Sequence, residues 1–193
     1  MKKLTYLLVI VLINALVVGG LAFAQENEMK TYTNEKFGFS ISYPEDWNKE
    51  YSDENGELYP YLRLSSTVDP KAATTVSIIE LASPTSLKEL KRYRELHAQI
   101  FDRSWNEIKI EEFAGLKAVT ARYTIVGEKM TTGEDGYEKW EKSEWKVKWV
   151  GLIIEGYLYR ITTSAPQEGY GEVNEKYLSK ILDSFEFTTK KSA

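Results

Sequence analysis

Apolar residues alternate strictly from Phe37 to Tyr43, with Phe37, Phe39, Ile41 and Tyr43 on one side and Gly38, Ser40 and Ser42 on the other. A period of two predicts a half-buried strand. Pro44 stops it, and Pro44-Glu45-Asp46-Trp47 turns the chain. Asn48 to Gly56 is charged and reads as loop, and Tyr61–Ser65 and Thr75–Leu81 are two further strand candidates separated by Asp69-Pro70. The period then changes. Ser86-Leu87-Lys88-Glu89 has the spacing of a capping box, in which serine and glutamate each satisfy the other's backbone N–H. Leu90, Tyr93, His97, Ile100 and Phe101 follow at helical intervals.

Alternation resumes at Ile108 and Ile110, turns at Ala114-Gly115, and continues through Val119, Ala121, Tyr123 and Ile125. Gly127 to Glu138, with three glycines and several acids, reads as a long hairpin tip, and Trp145, Val147 and Trp149 alternate on the return. Leu152–Ile154 and Tyr157–Tyr159 flank Glu155-Gly156, a two-residue hairpin signal. A last helix is predicted over Tyr170–Leu182, with Tyr170, Val173, Tyr177, Ile181 and Phe185 on one stripe. Hairpin-linked strands cannot form a parallel doubly wound sheet, because parallel neighbours need long crossovers. The order therefore predicts an α+β fold in which helices pack on an antiparallel sheet.

The first 24 residues follow a different pattern. Lys2 and Lys3 precede an apolar stretch from Leu4 to Phe23, and Ala22 and Ala24 put small side chains where a signal peptidase requires them. Asn14 and Gly19-Gly20 weaken the end of that stretch as a helix. Cleavage after Ala24 is expected, with an uncleaved N-terminal membrane anchor as the alternative, since about 20 apolar residues suffice to span a bilayer. Either way the domain is placed outside the cytoplasm, secreted or anchored. Residues 25–31 read as a linker, 32–188 as one domain and 189–193 as a polar tail.

Composition narrows the chemistry. The 193-residue chain contains no cysteine, which removes disulfides, thiolate nucleophiles and zinc–thiolate sites. A chain of this size buries about 70% of its unfolded surface and needs no such staple. Its formal charge is −4, and with Lys2 and Lys3 set aside the remainder holds 23 Lys and Arg against 29 Asp and Glu. An acidic domain without a basic run is repelled by nucleic acid and by anionic lipid.

Several short motifs occur in a recognisable order. Tyr32-Thr33-Asn34, Phe37-Gly38-Phe39-Ser40-Ile41 and Tyr43-Pro44-Glu45-Asp46-Trp47 resemble the opening of the PsbP-like family. Phe113-Ala114-Gly115 is similar to its mid-chain turn, and Ile181-Leu182-Asp183-Ser184-Phe185 to its closing signature. The resemblance spans Tyr32 to Phe187. It implies an αβα sandwich with a central antiparallel sheet flanked by helices, and a non-enzymatic binding or assembly module. The matched residues are core and turn residues, so they transfer a fold and not a partner.

No catalytic, cofactor or metal site is predicted. His97, the one histidine, could serve as a base or a ligand, but its place between Tyr93 and Ile100 on the helix stripe reads as a histidine bordering the core. No G-x-S-x-G elbow, S-x-x-K motif or phosphate loop is present. Asp53-Glu54-Asn55-Gly56 echoes a calcium loop, yet with Gly56 at position 6, positions 1 and 12 fall on Tyr51 and Leu62. Glu134, Asp135 and Glu138 could meet a hard cation, but read better as a solvated tip. A carboxylate pair for an envelope hydrolase, or a calcium-dependent structural role, are the rival functions. The unusual feature is aromatic content, 13 Tyr and 5 Trp. Tyr59, Tyr61, Tyr137 and Trp140 lie beside loops or among charges and are candidate contacts to an envelope or secreted protein partner.

Overall fold

The computed structural model describes residues 28–52, 60–68, 71–83, 85–100, 105–132 and 138–188, with backbone alone at 99–100, 105–106, 128–132 and 138–141. The export segment, the tail and the Asp53–Gly56 acids lie outside these residues. Among those described, no helix is long and apolar enough to cross a membrane.

The α+β expectation holds, but the strands divide between two antiparallel sheets where a single central one was predicted. In the smaller, β1 (Met29–Asn34) and β10 (Glu186–Phe187) flank β2 (Phe39–Pro44). Residues 29–31, expected to end a linker, are thus the start of β1. The larger sheet runs in the order β3 (Asn48–Ser52), β4 (Tyr61–Ser65), β5 (Ala73–Glu80), β9 (Tyr157–Pro166), β8 (Glu138–Ile154), β7 (Leu116–Thr132) and β6 (Trp105–Phe113). The charged stretch after Trp47 is therefore not loop at Asn48–Ser52. It pairs with β4, its polar side chains on an edge strand where exposure costs little. Likewise the expected hairpin tip is mostly ladder, with pairs from Gly127↔Ser143 to Thr132↔Glu138.

Helix α1 (Leu87–Ile100) begins at the predicted capping box: the Ser86 N–H donates to Glu89 Oε2 at 2.7 Å and the Glu89 N–H to Ser86 Oγ at 3.2 Å. Its buried stripe agrees with the predicted one at Leu90 but departs from it at Tyr93. Leu87 and Leu90 pack on Val119, Ala121, Val147 and Trp149, and Tyr93 is 61% exposed. The C-terminal helical stretch is continuous through α2 (Tyr170–Val173), a π-helical turn (Asn174–Leu178) and α3 (Ser179–Asp183). Apolar steps of four at Val173, Tyr177, Ile181 and Phe185 drift off a 3.6-residue helix, and one wider turn restores the register.

The main core lies between the sheets. Phe39, Ile41, Tyr43 and Trp47 meet Leu62, Leu64, Val76, Val150, Leu152 and Ile161, with Leu178, Ile181, Leu182 and Phe185 from the helical stretch. Phe185 stacks on Phe39 at 5.5 Å and meets Phe187 edge-on at 5.1 Å. Ser184 joins the helix end to β2, accepting from the Ser42 N–H at 2.8 Å and donating to the Ile181 carbonyl at 2.7 Å. The Tyr159 hydroxyl, from the large sheet, donates to the Phe37 carbonyl at 2.9 Å.

Candidate functional site

Each strand of the large sheet sends alternate residues to opposite faces. One face, carrying Val76, Val150, Leu152 and Ile161, is consumed by the main core. The other is treated unequally. Over β6, β7 and β8 it is apolar and covered by α1. Over β4, β5 and β9 it is polar except at the Ile79–Leu158 pair.

The register fixes that polar half as a lattice. Tyr61, Ser77, Arg160 and Gly151 are successive cross-strand partners in one row, and Arg63, Thr75, Thr162 and Trp149 in the next. Adjacent strands lie about 4.8 Å apart, so these side chains form one surface. Two neighbouring concavities open on it. The first, about 450 Å³, has Thr75, Ser77 and Thr162 on its floor beside Arg160, with Arg94 and His97 of α1 as its wall. The second, about 370 Å³, lies toward the other end of the strands and includes Arg63, Lys71, Ser65, Ser164 and Trp145. No carboxylate lines either one among the described residues. The face thus gathers arginine, lysine and histidine with hydroxyl groups, and at its β3 edge Glu50 lies opposite Arg63.

Two contacts set the arginines. Arg160 donates to Ser77 Oγ at 3.2 Å across the strand pair. The Arg94 guanidinium lies over the Trp149 ring, 4.3 Å from its centroid, a cation–π geometry. The indole in turn lies over Gly151, where a Cβ would come within 2.2 Å of it. Glycine at 151 lets the indole lie down, and the flat indole lets Arg94 reach the seam.

Of the four aromatic candidates from the sequence, one falls on this surface. Tyr61 is on this face, half-buried, its hydroxyl donating to Glu50 Oε1 at 2.6 Å. Tyr59 and Tyr137 lie outside the described residues, as do Glu134 and Asp135. Glu138 and Trp140 are described in backbone only, on β8, where Trp140 faces Met130. His97 is half-buried in the cleft wall, 6.0 Å from the Tyr93 ring. Among the described residues no group of three or more acids and histidines could hold a metal ion. Arg94, Arg160 and the hydroxyl floor were missed. The signal was available: Arg160, Thr162 and Ser164 alternate with Tyr159, Ile161 and Ala165, an uninterrupted polar side to a central strand.

A second polar patch lies on the opposite face. Lys148 is held below the usual lysine range by burial and by Arg122, against the pull of Glu111 and Asp183. Glu111 pairs with Lys109 at 2.9 Å, so this patch balances its own charges.

A sequence model of the PsbP-like protein family matches residues 20–187. The chain belongs to the PsbP-like family. Among solved structures it is similar to PsbP of the cyanobacterium Synechocystis sp. PCC 6803, with 14% identity, 86% of this chain and 95% of that one covered, and a TM-score of 0.54. It is also similar to LpqN of Mycobacterium tuberculosis, a protein involved in cell envelope biogenesis, with 9% identity, 83% and 91% covered, and a TM-score of 0.53. Identities this low carry the fold alone. A comparison with curated proteins finds no match. The motif residues that suggested the family, Phe39, Ile41, Tyr43, Trp47, Ile181 and Phe185, are all core, which is why family membership leaves the polar face unexplained.

Proposed function

We propose that this PsbP-like chain is a non-catalytic binding module working outside the cytoplasm, and that its working surface is the open half of the large sheet. One observation carries the reading: α1 packs over β6–β8, while β4, β5 and β9 present two adjoining cross-strand rows of arginine and hydroxyl side chains. Proteins leave such a face on a central strand either solvated or for a partner, and the concentration of cations in an acidic chain favours a partner. The non-catalytic reading is supported by membership of the PsbP-like family and by a sequence without a G-x-S-x-G elbow, S-x-x-K motif or phosphate loop. Placement outside the cytoplasm rests on Lys2-Lys3, the apolar stretch to Phe23 and the small residues Ala22 and Ala24.

Tyr61 belongs to this surface by register, and Tyr59, Tyr137 and Trp140 are proposed as accessory contacts. The test is a photocrosslinking residue placed at Ser164, on the face, and at Glu186, on the smaller sheet, in the full chain in its native envelope. A defined adduct from Ser164 and none from Glu186 is the expected outcome. The same adducts from both positions, or none from either, would overturn the reading.

A further inference from the structure

The β7–β8 hairpin outruns the sheet that carries it. The ladder of β6 with β7 ends at Trp105↔Tyr123, and that of β9 with β8 ends at Trp145↔Pro166. The pairing of β7 with β8 continues beyond both, from Val126↔Glu144 to Thr132↔Glu138. A two-stranded ribbon roughly 20 Å long therefore stands clear of the body, and Val126 and Lys142 on it are exposed. Such a ribbon is marginal in water by itself. Its outer edges present backbone N–H and C=O groups, and among the described residues no strand pairs with either one. Along the β8 edge the open length is fixed: the Glu144 carbonyl already accepts from the Gln167 N–H at 2.7 Å, which leaves residues 138–143.

That open edge reads Glu138-Lys139-Trp140-Glu141-Lys142, and run antiparallel to itself it is self-complementary. With Trp140 opposite Trp140, Glu138 meets Lys142 and Lys139 meets Glu141. Directly opposed residues in an antiparallel pair both turn their backbone groups inward or both outward, so a two-fold axis must pass through a residue pair. Moving that axis by one residue sets Glu141 against Glu141 or Lys139 against Lys139, and like charges directly opposite are destabilising. Charge therefore selects the register centred on Trp140. The ladder within each ribbon extends the pattern, since β7 puts Lys129 opposite Glu141 and Glu128 opposite Lys142. Glu141 then falls between two lysines and Lys142 between two glutamates.

We propose that the outer edge of β8 pairs with the same edge of a second copy of this chain, antiparallel about Trp140. Two ribbons become one four-stranded sheet, closed by a two-fold axis. The contact is short, in the class of weak, reversible interfaces. It is separate from the open polar face of the large sheet, so either reading can fail alone.

The experiment is sedimentation equilibrium of the full chain from about 1 μM to about 1 mM. A reversible monomer–dimer equilibrium within that range is expected. Lys139→Glu should weaken it about tenfold or more, because the two-fold axis turns two attractive pairs into two repulsive ones at once. Within its own ribbon residue 139 faces only Thr131, so that loss reports the contact between copies. Glu141→Lys should weaken self-association likewise. An equimolar mixture of the two variants should regain the dimer, since each then offers the charge the other lacks. Association through the apolar stretch of residues 1–24 would be indifferent to both substitutions. A monomer at every concentration, a dimer that Lys139→Glu leaves unchanged, or a mixture no more associated than its components would each overturn the proposal.

Discussion

The indole of Trp149 covers the backbone of Gly151, two residues along the same face of β8, so closely that a single added methyl would stand 2.2 Å from the ring atom Cη2. Trp149 is 2% exposed and has Arg94 over it, so the ring cannot swing away without lifting the helix. Gly151→Ala should therefore destabilise the domain by about 1–3 kcal/mol, the usual range for overpacking. Denaturant unfolding of the two proteins measures it. An unchanged midpoint would mean that the helix edge yields freely.

Removal of the guanidinium tests the same arrangement from the other side. Arg94→Ala should cost about 0.5–2 kcal/mol through loss of the cation–π contact, and Arg94→Lys should recover part of it. Thermal melts of the three proteins rank them. Full recovery by Arg94→Lys would assign Arg94's contribution to its aliphatic stem and charge and not to the planar guanidinium.

The hairpin turns are not ideal. Glu155 and Ala114 both adopt φ of 49°, followed by Gly156 at 84° and Gly115 at 76°. Two-residue hairpins of this kind need positive φ at both positions, which costs a residue with a Cβ about 1 kcal/mol or more. Asparagine tolerates that conformation better. Glu155→Asn should raise stability by a few tenths to about 1 kcal/mol, read as an increase in the melting midpoint, and a decrease would show Glu155 making a compensating contact.

Much of the fold was readable because it rests on local rules. The alternation at Phe39, Ile41 and Tyr43, the Ser86–Glu89 box and the Glu155-Gly156 turn each report a period or a φ requirement that neighbouring residues alone impose. What was not readable depends on which strand lies next to which. Nothing near Asn48–Ser52 signals that it pairs with β4, since a polar edge strand has a polar loop's composition. Tyr93 was placed on the buried stripe because its spacing from Leu90 fits, but α1 is set by Leu87, Leu90 and the arginine over Trp149. The cleft is the extreme case. Thr75, Arg94 and Thr162 lie far apart in the chain and come together only through the β5–β9 pairing and the packing of α1 on the sheet, which no short-range pattern encodes.

The cap at α1 also sets a dependence on pH. The Ser86 backbone N–H, joined by the Ser86 hydroxyl, holds the Glu89 carboxyl below the ordinary carboxylate value. A carboxyl depressed in the folded state stabilises it above the unfolded value, and that contribution fades as pH falls through the folded one. Glu89→Gln should therefore lower the melting temperature relative to the parent at pH 7 and converge with it at pH 3. A constant gap between the two curves would show that the charge on Glu89 is immaterial. Ser86→Ala should cost about 1 kcal/mol at neutral pH.

Ser184 should be equally sensitive. Its hydroxyl accepts from the Ser42 N–H, and Ser184→Ala strands that donor beside the core, at a cost of about 1–3 kcal/mol. Amide exchange at Ser42 should accelerate in the variant. Unaltered protection there would mean that another acceptor takes over.

The pairing of β10 with β2 has a temporal consequence. Phe187 lies opposite Phe39, and Phe185 is sandwiched among the aromatic rings that close the interior. The apolar side of β2 is shielded only once Phe185 and Phe187, from the far end of the domain, dock on it. Closing this interior therefore waits on a long-range contact, and the local β7–β8 hairpin can form ahead of it.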